Sequence, residues 1–378
     1  MGFFFADQTS DLLSSVDWVN SQWLYFYPVF ERLQAMSDLS NSQSPIQPAR
    51  QPSSRQCVVI LGTGGTIAGL SASASDNIGY AAAQVGVDQL VAAIPSLTDA
   101  GPVLTEQVAQ IDSKDMSFGV WAQLAARVGH YLAREDVGAI VITHGTDTIE
   151  ETAFFLQAVC ESTKPVVLTC AMRPASALVP DGPQNVINAL AVARHPGASG
   201  VTVVCAGTIH SALDVQKVHT YQLDAFSSGD GGPIGFIEEG KLHLIRNWPL
   251  AQVIRAQEAM KTIATVAGLA DWPRVEIVMN YAGASGLLVD ALVSQGVQGL
   301  VVAGTGNGTL HHNLEAALLR AQAGGVRVVR ATRCVNGRVL PKPGDLLPDS
   351  HGLSPVKARV ALVLELLTAA GSAPTTHL

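Results

Sequence analysis

From residue 57 onward, short runs rich in Val, Ile and Leu alternate with longer stretches of helical periodicity. The strand-like runs fall at 57–61, 139–143, 165–170, 201–205, 275–280, 299–303 and 326–330, and helical patterns lie between them at 117–134, 149–160, 184–194, 285–296, 312–323 and 355–369. A parallel strand is buried on both faces and reads as a continuous apolar run, and two such strands need a crossover, usually a helix. The alternation therefore predicts an α/β fold built of βαβ units. At 378 residues the chain is long for one core. Its texture changes at about 240–265, after Gly231-Gly232-Pro233. The reading is a larger N-terminal domain over 57–250, with a mainly parallel sheet flanked by helices, and a smaller C-terminal α/β domain over 265–378.

Residues 1–56 stand apart from this pattern. Phe3-Phe4-Phe5, Trp18, Trp23, Tyr25, Phe26 and Tyr27 concentrate aromatic side chains there, and a short amphipathic helix is expected from Asp11 to about Leu33. Ser37 to Gln56, rich in Ser, Gln and Pro, reads as a flexible linker. The segment lacks a basic n-region and carries Asp7 and Asp11, which argues against a signal peptide, and Met36 is an alternative start. The segment is expected to be an extension outside both domains.

Composition narrows the function classes. Hydrophobic residues make up 48% and charged residues 14%, a globular balance. A net charge of −8 argues against nucleic acid as a partner, and no apolar run is long enough to span a membrane. The five cysteines, Cys57, Cys160, Cys170, Cys205 and Cys334, are odd in number and fit no zinc spacing, so no metal site is expected. Cys57, Cys170 and Cys205 lie in strand-like runs and read as small buried hydrophobes, a usage that suits a reducing cytoplasm.

Two stretches carry chemistry. In the first, Val58-Val59-Ile60 leads into Gly62-Thr63-Gly64-Gly65-Thr66-Ile67-Ala68-Gly69. A dinucleotide loop would need its third glycine at Ile67, and a P-loop would need Gly-Lys-Ser/Thr, so the spacing argues against both. What remains is either a glycine-rich turn without chemistry or a nucleophilic threonine presented at the carboxyl end of a strand, where open α/β sheets place ligands. The second stretch, Val141-Ile142-Thr143-His144-Gly145-Thr146-Asp147-Thr148, repeats strand, glycine, threonine and helix start, an arrangement whose backbone N–H groups suit an oxyanion. Thr148 with Glu151 three residues on reads as a capping box, which leaves Thr146 and Asp147 without a structural role. His144 is a candidate base, although a lone histidine at a strand end is more often a satisfied structural group. Ile111 to Met116 offers small polar groups before a helix, Leu168 to Pro174 ends another strand, and Asp214 to Lys217 places one lysine in a sparsely charged region, where the plainer reading is a solvated surface group.

Together, Thr63 to Gly69 and Thr143 to Thr148 resemble the two signatures of the bacterial L-asparaginase/glutaminase family, threonine-nucleophile amidohydrolases. The resemblance runs over about 57 to 370, through Gln107 to Met116, Lys164 to Arg173, Asp181 to Asn188, Asp214 to Lys217, Gly232 to Gly235, Asn280 to Ser285 and Ala303 to Gly308. It implies hydrolysis of L-asparagine to L-aspartate and ammonia through an acyl-threonine, with L-glutamine as an alternative substrate. Thr66 then matches the nucleophile, and Tyr80 matches the tyrosine on a loop that closes over the site. Thr146, Asp147 and Lys217 match the second threonine, the carboxylate that holds the substrate's α-amino group and the lysine behind them. Ser113 matches the α-carboxylate contact, Ala171 a backbone contact near the amide, and Gly65 and Gly145 the backbone of the two turns. No cofactor is implied. A homo-oligomer, specifically a tetramer, and a cytoplasmic location are expected.

Some positions depart from the family pattern. Lys114 stands where many members have Gln, Gly283 occupies the position of an Asn lent to the neighbouring subunit's site, and Asp345 is only a loose match for the acidic residue lent with it. Arg134 falls where a disulfide partner for Cys160 would stand, so that bridge is not expected. A tRNA-dependent amidotransferase subunit of the same fold is the alternative from another class. It calls for a folded N-terminal domain and a basic surface, which the acidic balance and the short polar extension do not offer.

Overall fold

A computed structural model of the chain describes residues 56–94, 101–160, 163–249 and 272–371. The helix expected at 11–33, the linker before Gln56 and the break in texture beyond residue 249 lie outside these residues. The first part contains β1 (Cys57–Gly64), a hairpin of β2 (Leu70–Ser71) and β3 (Tyr80–Ala81), helix α1 (Val87–Ala92), β4 (Val103–Ile111), α2 (Phe118–Leu132), β5 (Val137–Thr143), α3 (Ile149–Val159), β6 (Val166–Thr169), α4 (Gly182–Ala193) and β7 (Val201–Cys205). It continues with β8 (Thr208–Ser211), a second small hairpin of β9 (Gln216–Lys217) and β10 (Phe226–Ser227), then β11 (Gly235–Glu238) and β12 (Lys241–Leu244). The second part contains β13 (Val275–Met279), α5 (Leu287–Ser294), β14 (Gly299–Gly304), α6 (His312–Ala323), β15 (Arg327–Thr332) and α7 (Pro355–Gly371).

The large sheet has the order β12-β11-β8-β7-β6-β5-β1-β4. The strands from β4 to β7 run parallel, and β8, β11 and β12 close the far edge antiparallel. The small sheet, β13-β14-β15, is wholly parallel. Strands β5, β6 and β7 are buried along their whole length, which explains why they read as uninterrupted apolar runs. Their side chains pack against α4 through Val186, Ala189, Leu190 and Ala193. A separate cluster, including Leu300, Val302, Leu314 and Leu318, forms the core around the small sheet.

Four strands of the large sheet escaped the reading of the sequence, for identifiable reasons. β4 is an edge strand that carries Glu106, whose carboxylate accepts two bonds from Arg127 at 2.7 Å each and one from Tyr131 at 2.6 Å, so a charge sits where periodicity expects a hydrophobe. β8, β11 and β12 are only four residues each. Their hairpins turn at Ala206-Gly207 and Glu239-Gly240, with positive φ at both residues of each pair, the geometry that suits the twist of two-residue hairpins.

The sheet order places the site. The chain leaves β1 for β4 on one side, then crosses back to β5 on the other, so the strand order reverses at the carboxyl end of β1. In the β1–β5 register, Leu61 lies opposite Ile142 and Gly62 opposite Thr143. The two turns that follow therefore meet. A Cβ on Gly65, whose φ is +82°, would fall 2.3 Å from the Cα of Gly145, and one on Gly145 would fall 2.4 Å from Ser113 Oγ. Gly65→Ala is expected to cost at least about 3 kcal/mol in urea unfolding, from overlap and a left-handed backbone together; an unchanged midpoint would show that the turns do not touch.

Candidate active site

Beyond β1 the chain bends into a single 3-10 turn, Thr66–Ala68. The N–H of Gly65 donates to the carbonyl of Ile111 at 2.9 Å, and the carbonyl of Gly65 accepts from Ala83 at 3.1 Å. Gly65 is thus gripped from both sides, and Thr66 after it lies 7% exposed. The β2–β3 hairpin then folds back, pairing Ser71 with Tyr80, and brings the Tyr80 hydroxyl 2.6 Å from Thr66 Oγ1. The hairpin is itself moored to the loop after β6, where Ala175 N–H donates to Gly69 and Ser71 N–H to Ser176 Oγ.

Beyond β5, Thr146 and Asp147 form a second arm with Lys217. The Lys217 ammonium donates to Thr146 Oγ1 at 2.8 Å and to Asp147 Oδ1 at 2.7 Å. Its side chain is only 19% exposed, whereas Asp147 is 51% exposed and faces outward. A solvated surface lysine is therefore the wrong description of Lys217. Ser113 lies beneath this arm: its Oγ accepts from the Asp147 N–H at 3.2 Å, and its carbonyl accepts from Thr148 Oγ1 at 2.8 Å. The capping box expected at Thr148 does not form. Thr148 is the residue before α3, but its side chain makes no capping bond and turns to Ser113 instead.

Gly65 and Gly145 are in contact, as the register requires, and bring the Thr66 and Thr146 turns together. Ala171 is buried just past β6, close to the Ile67 end of the first turn: a Cβ on Gly182 would touch both residues. The Lys114 side chain is exposed and pairs with Asp112 at 2.6 Å. Asp345, the loose match for an acidic residue lent to a neighbour, is committed within its own chain, paired with Arg330 at 2.5 Å, which holds its carboxyl below the usual range.

His144 is not placed to act as a base. It is fully buried, and burial lowers its pKa to about 4. The surrounding bonds form one directed chain. Trp121 Nε1–H donates to Thr152 Oγ1 at 2.8 Å, which leaves the Thr152 hydroxyl to donate to His144 Nε2 at 2.9 Å and His144 Nδ1–H to donate to the Gly145 carbonyl at 2.7 Å. The chain fixes the tautomer and steadies the turn that carries Thr146. Sequence reasoning missed Thr152 and Trp121 in this role; their partners are 8 and 31 residues away along the chain and leave no local spacing to read.

The cysteines are buried at 160, 170 and 205, half-buried at 57 and exposed at 334. Burial pushes the Cys160 thiol up to about 12, so it is inert. Among the described residues, no cluster of His, Cys, Asp and Glu has the arrangement of a metal site, and no helix is long and apolar enough to cross a membrane.

The chain's similarity to known proteins agrees with this geometry. Residues 57–250 match the profile of the N-terminal asparaginase domain, and residues 274–375 that of the glutaminase/asparaginase C-terminal domain. The chain belongs to the asparaginase family. It is 40% identical over 313 residues to L-asparaginase 2 of Bacillus subtilis, covering 81% of each chain, and 38% identical to a glutaminase-asparaginase of Pseudomonas fluorescens, covering 82% of this chain and 86% of that one. Among solved structures, a probable cytoplasmic L-asparaginase from Campylobacter jejuni matches with a TM-score of 0.75 at 39% identity, covering 82% of this chain and 95% of that one. In this asparaginase-family chain, the bonds around Thr152 predict a stability effect. Thr152→Val keeps the shape but leaves the Trp121 N–H and His144 Nε2 unpaired in the core. A loss of about 2 kcal/mol or more is expected in chemical denaturation, and an unchanged midpoint would contradict the directed chain.

Proposed function

We propose that this protein is an L-asparaginase, hydrolysing L-asparagine to L-aspartate and ammonia through an acyl ester on Thr66. The observation that carries the proposal is the pair of threonine arms, Thr66–Tyr80 at 2.6 Å and Thr146–Lys217 at 2.8 Å, on turns in contact at Gly65 and Gly145. A threonine hydroxyl is a weak nucleophile that needs a neighbouring group to take its proton. Tyr80 is in direct reach of Thr66 Oγ1, and the Thr146–Lys217 arm lines the other turn.

The steps follow from these positions. The substrate's α-ammonium pairs with the outward-facing Asp147 carboxylate, and its α-carboxylate is received at Ser113. Thr66 Oγ1 attacks the side-chain amide carbon as its proton passes to the Tyr80 hydroxyl, which gives up its own proton toward the amide nitrogen. Backbone N–H groups of the two turns stabilise the resulting oxyanion. The C–N bond breaks with a proton delivered to nitrogen, and ammonia departs. Water attacks the ester carbon, the C–O bond to Thr66 breaks, and aspartate leaves with the threonine hydroxyl restored. Every proton transfer in this scheme involves a side chain of the chain, substrate or water.

Two coarser features complete the proposal. The working form is a homo-oligomer, taken as a tetramer, with the smaller domain facing a neighbour. Exposed Met279, Tyr281, Leu287 and Leu288 on that domain supply apolar surface of the kind that subunit contacts cover. The cytoplasm is the proposed location. The odd cysteine count suits it, and the Campylobacter jejuni neighbour is named as cytoplasmic, although a Haemophilus influenzae relative is named as periplasmic.

Ammonia release from L-asparagine and L-glutamine, measured side by side, tests the activity and its preference. Thr66→Ala is expected to lose on the order of 10³-fold or more in kcat with the fold intact. Asp147→Ala should raise KM as well as lower kcat, since the ammonium loses its partner. Near-normal turnover in Thr66→Ala would end the proposal, and light scattering that finds an active monomer would end its oligomeric part.

A further inference from the structure

Helix α7 carries a lysine that the chemistry above does not use. Lys357 has no exposed surface, and it sits on the apolar stripe of the helix with Ala361 and Leu364. Burying an ammonium is costly unless its protons find partners. Here Nζ donates to the carbonyl of Leu213 at 2.8 Å and to that of Val215 at 2.6 Å, more than 140 residues away in sequence. Those carbonyls flank Asp214, just before Lys217. Glu150 of α3, half-buried, lies within electrostatic reach of both Lys357 and Lys217.

We infer that Lys357, bonded to both carbonyls, is a buried clamp on the Leu213–Val215 backbone and a positioning residue for the Lys217 ammonium. This inference rests on the role given to Lys217 above. The β9–β10 hairpin that carries Lys217 pairs over only two residues on each strand, Gln216 with Ser227 and Lys217 with Phe226, which is too little to fix a side chain unaided. The clamp supplies the missing constraint. It also ties the site to the smaller domain. α7 packs against α3 and against all three strands of the small sheet, and two residues beyond Lys357 the Arg359 Nε–H donates to the Val275 carbonyl of β13 at 2.9 Å.

The charges around the clamp are mutually supporting. Burial lowers the Lys357 pKa to about 8, and Glu150 and Asp214 oppose that shift. Burial raises the Glu150 pKa, and Lys357, the Lys217 N–H and the Lys217 ammonium oppose it. Asp214 is held in turn by Ser211 at 2.6 Å and by Arg246, and burial, helped by Lys357 and Arg246, lowers the His210 pKa to about 4 and keeps that ring neutral.

The test is a double-variant cycle on the full-length protein with L-asparagine, reading kcat, KM and melting temperature for Lys217→Met, Lys357→Met and both together. Lys357→Met is expected to lower kcat by roughly 10- to 100-fold, as a small misplacement of a catalytic group does, with a smaller change in KM. In the Lys217→Met background, adding Lys357→Met should change kcat by less than about twofold, because the residue it positions is already gone. Arg359→Met, which loosens the same helix from β13, should lower the melting temperature without that fall in kcat. Should Lys357→Met fail to fold, Lys357→Gln, with a donor one atom shorter, is expected to show the same fall in kcat. The inference is overturned if Lys217→Met loses its rate while Lys357→Met or Lys357→Gln keeps it, or if the two losses multiply in the double variant. If Lys217→Met itself keeps normal turnover, the reading of the site fails first and takes the clamp with it.

Discussion

The contact between Gly65 and Gly145 is the constraint on which the site depends. Adjacent parallel strands in fixed register deliver two turns to one point, and only residues without side chains let them close. Thr66 and Thr146, one residue beyond each glycine, are thereby set on turns in contact. Any shift of register between β1 and β5 would separate the threonines, since a one-residue slip carries every side chain of a strand to the opposite face. The apolar strands β5, β6 and β7 therefore serve the site as well as the core: their burial on both faces holds the register.

The polar groups around the turns fall into two kinds. His144, Thr152 and Trp121 are sealed in and neutral, and their hydrogen bonds run in one direction, so they stiffen the turn and carry no proton to substrate. Asp147 and Lys217 meet at the edge between buried and exposed, where a carboxylate remains available to a ligand's ammonium while its lysine is screened from water. The electrostatic design thus separates sealed groups that hold the frame from a charged pair at the protein's edge. Lys357 belongs to the first kind by burial, yet it acts on the second through the backbone of Leu213 and Val215.

The sequence showed four of the five parallel strands of the large sheet, the small sheet and most helices, because strands buried on both faces and amphipathic helices leave a periodic trace. α6 was read at 312–323, where the helix runs. β4 was hidden by the charge of Glu106, and β8, β11 and β12 by their shortness and by turns at Ala206-Gly207 and Glu239-Gly240 that lack the usual Asn-Gly or Asp-Gly pair. At the site, the two glycine-threonine turns were legible because close backbone approach demands a particular local composition. The groups that steady them were not. Thr152, Trp121 and Lys357 act across 8 to 144 residues of chain, and the first two read as ordinary helix residues. A lysine on the apolar stripe of α7 was the one local sign that something unusual lay there.

The central claim is that Thr66 of the first turn, and not Thr146 of the second, bonds to the substrate. Acid quenching during turnover of L-asparagine, followed by proteolysis and mass mapping, tests this directly. The account predicts an aspartyl ester on the peptide bearing Thr66, falling away once the asparagine is consumed. An ester carried instead by Thr146, or by any other side chain, would contradict it.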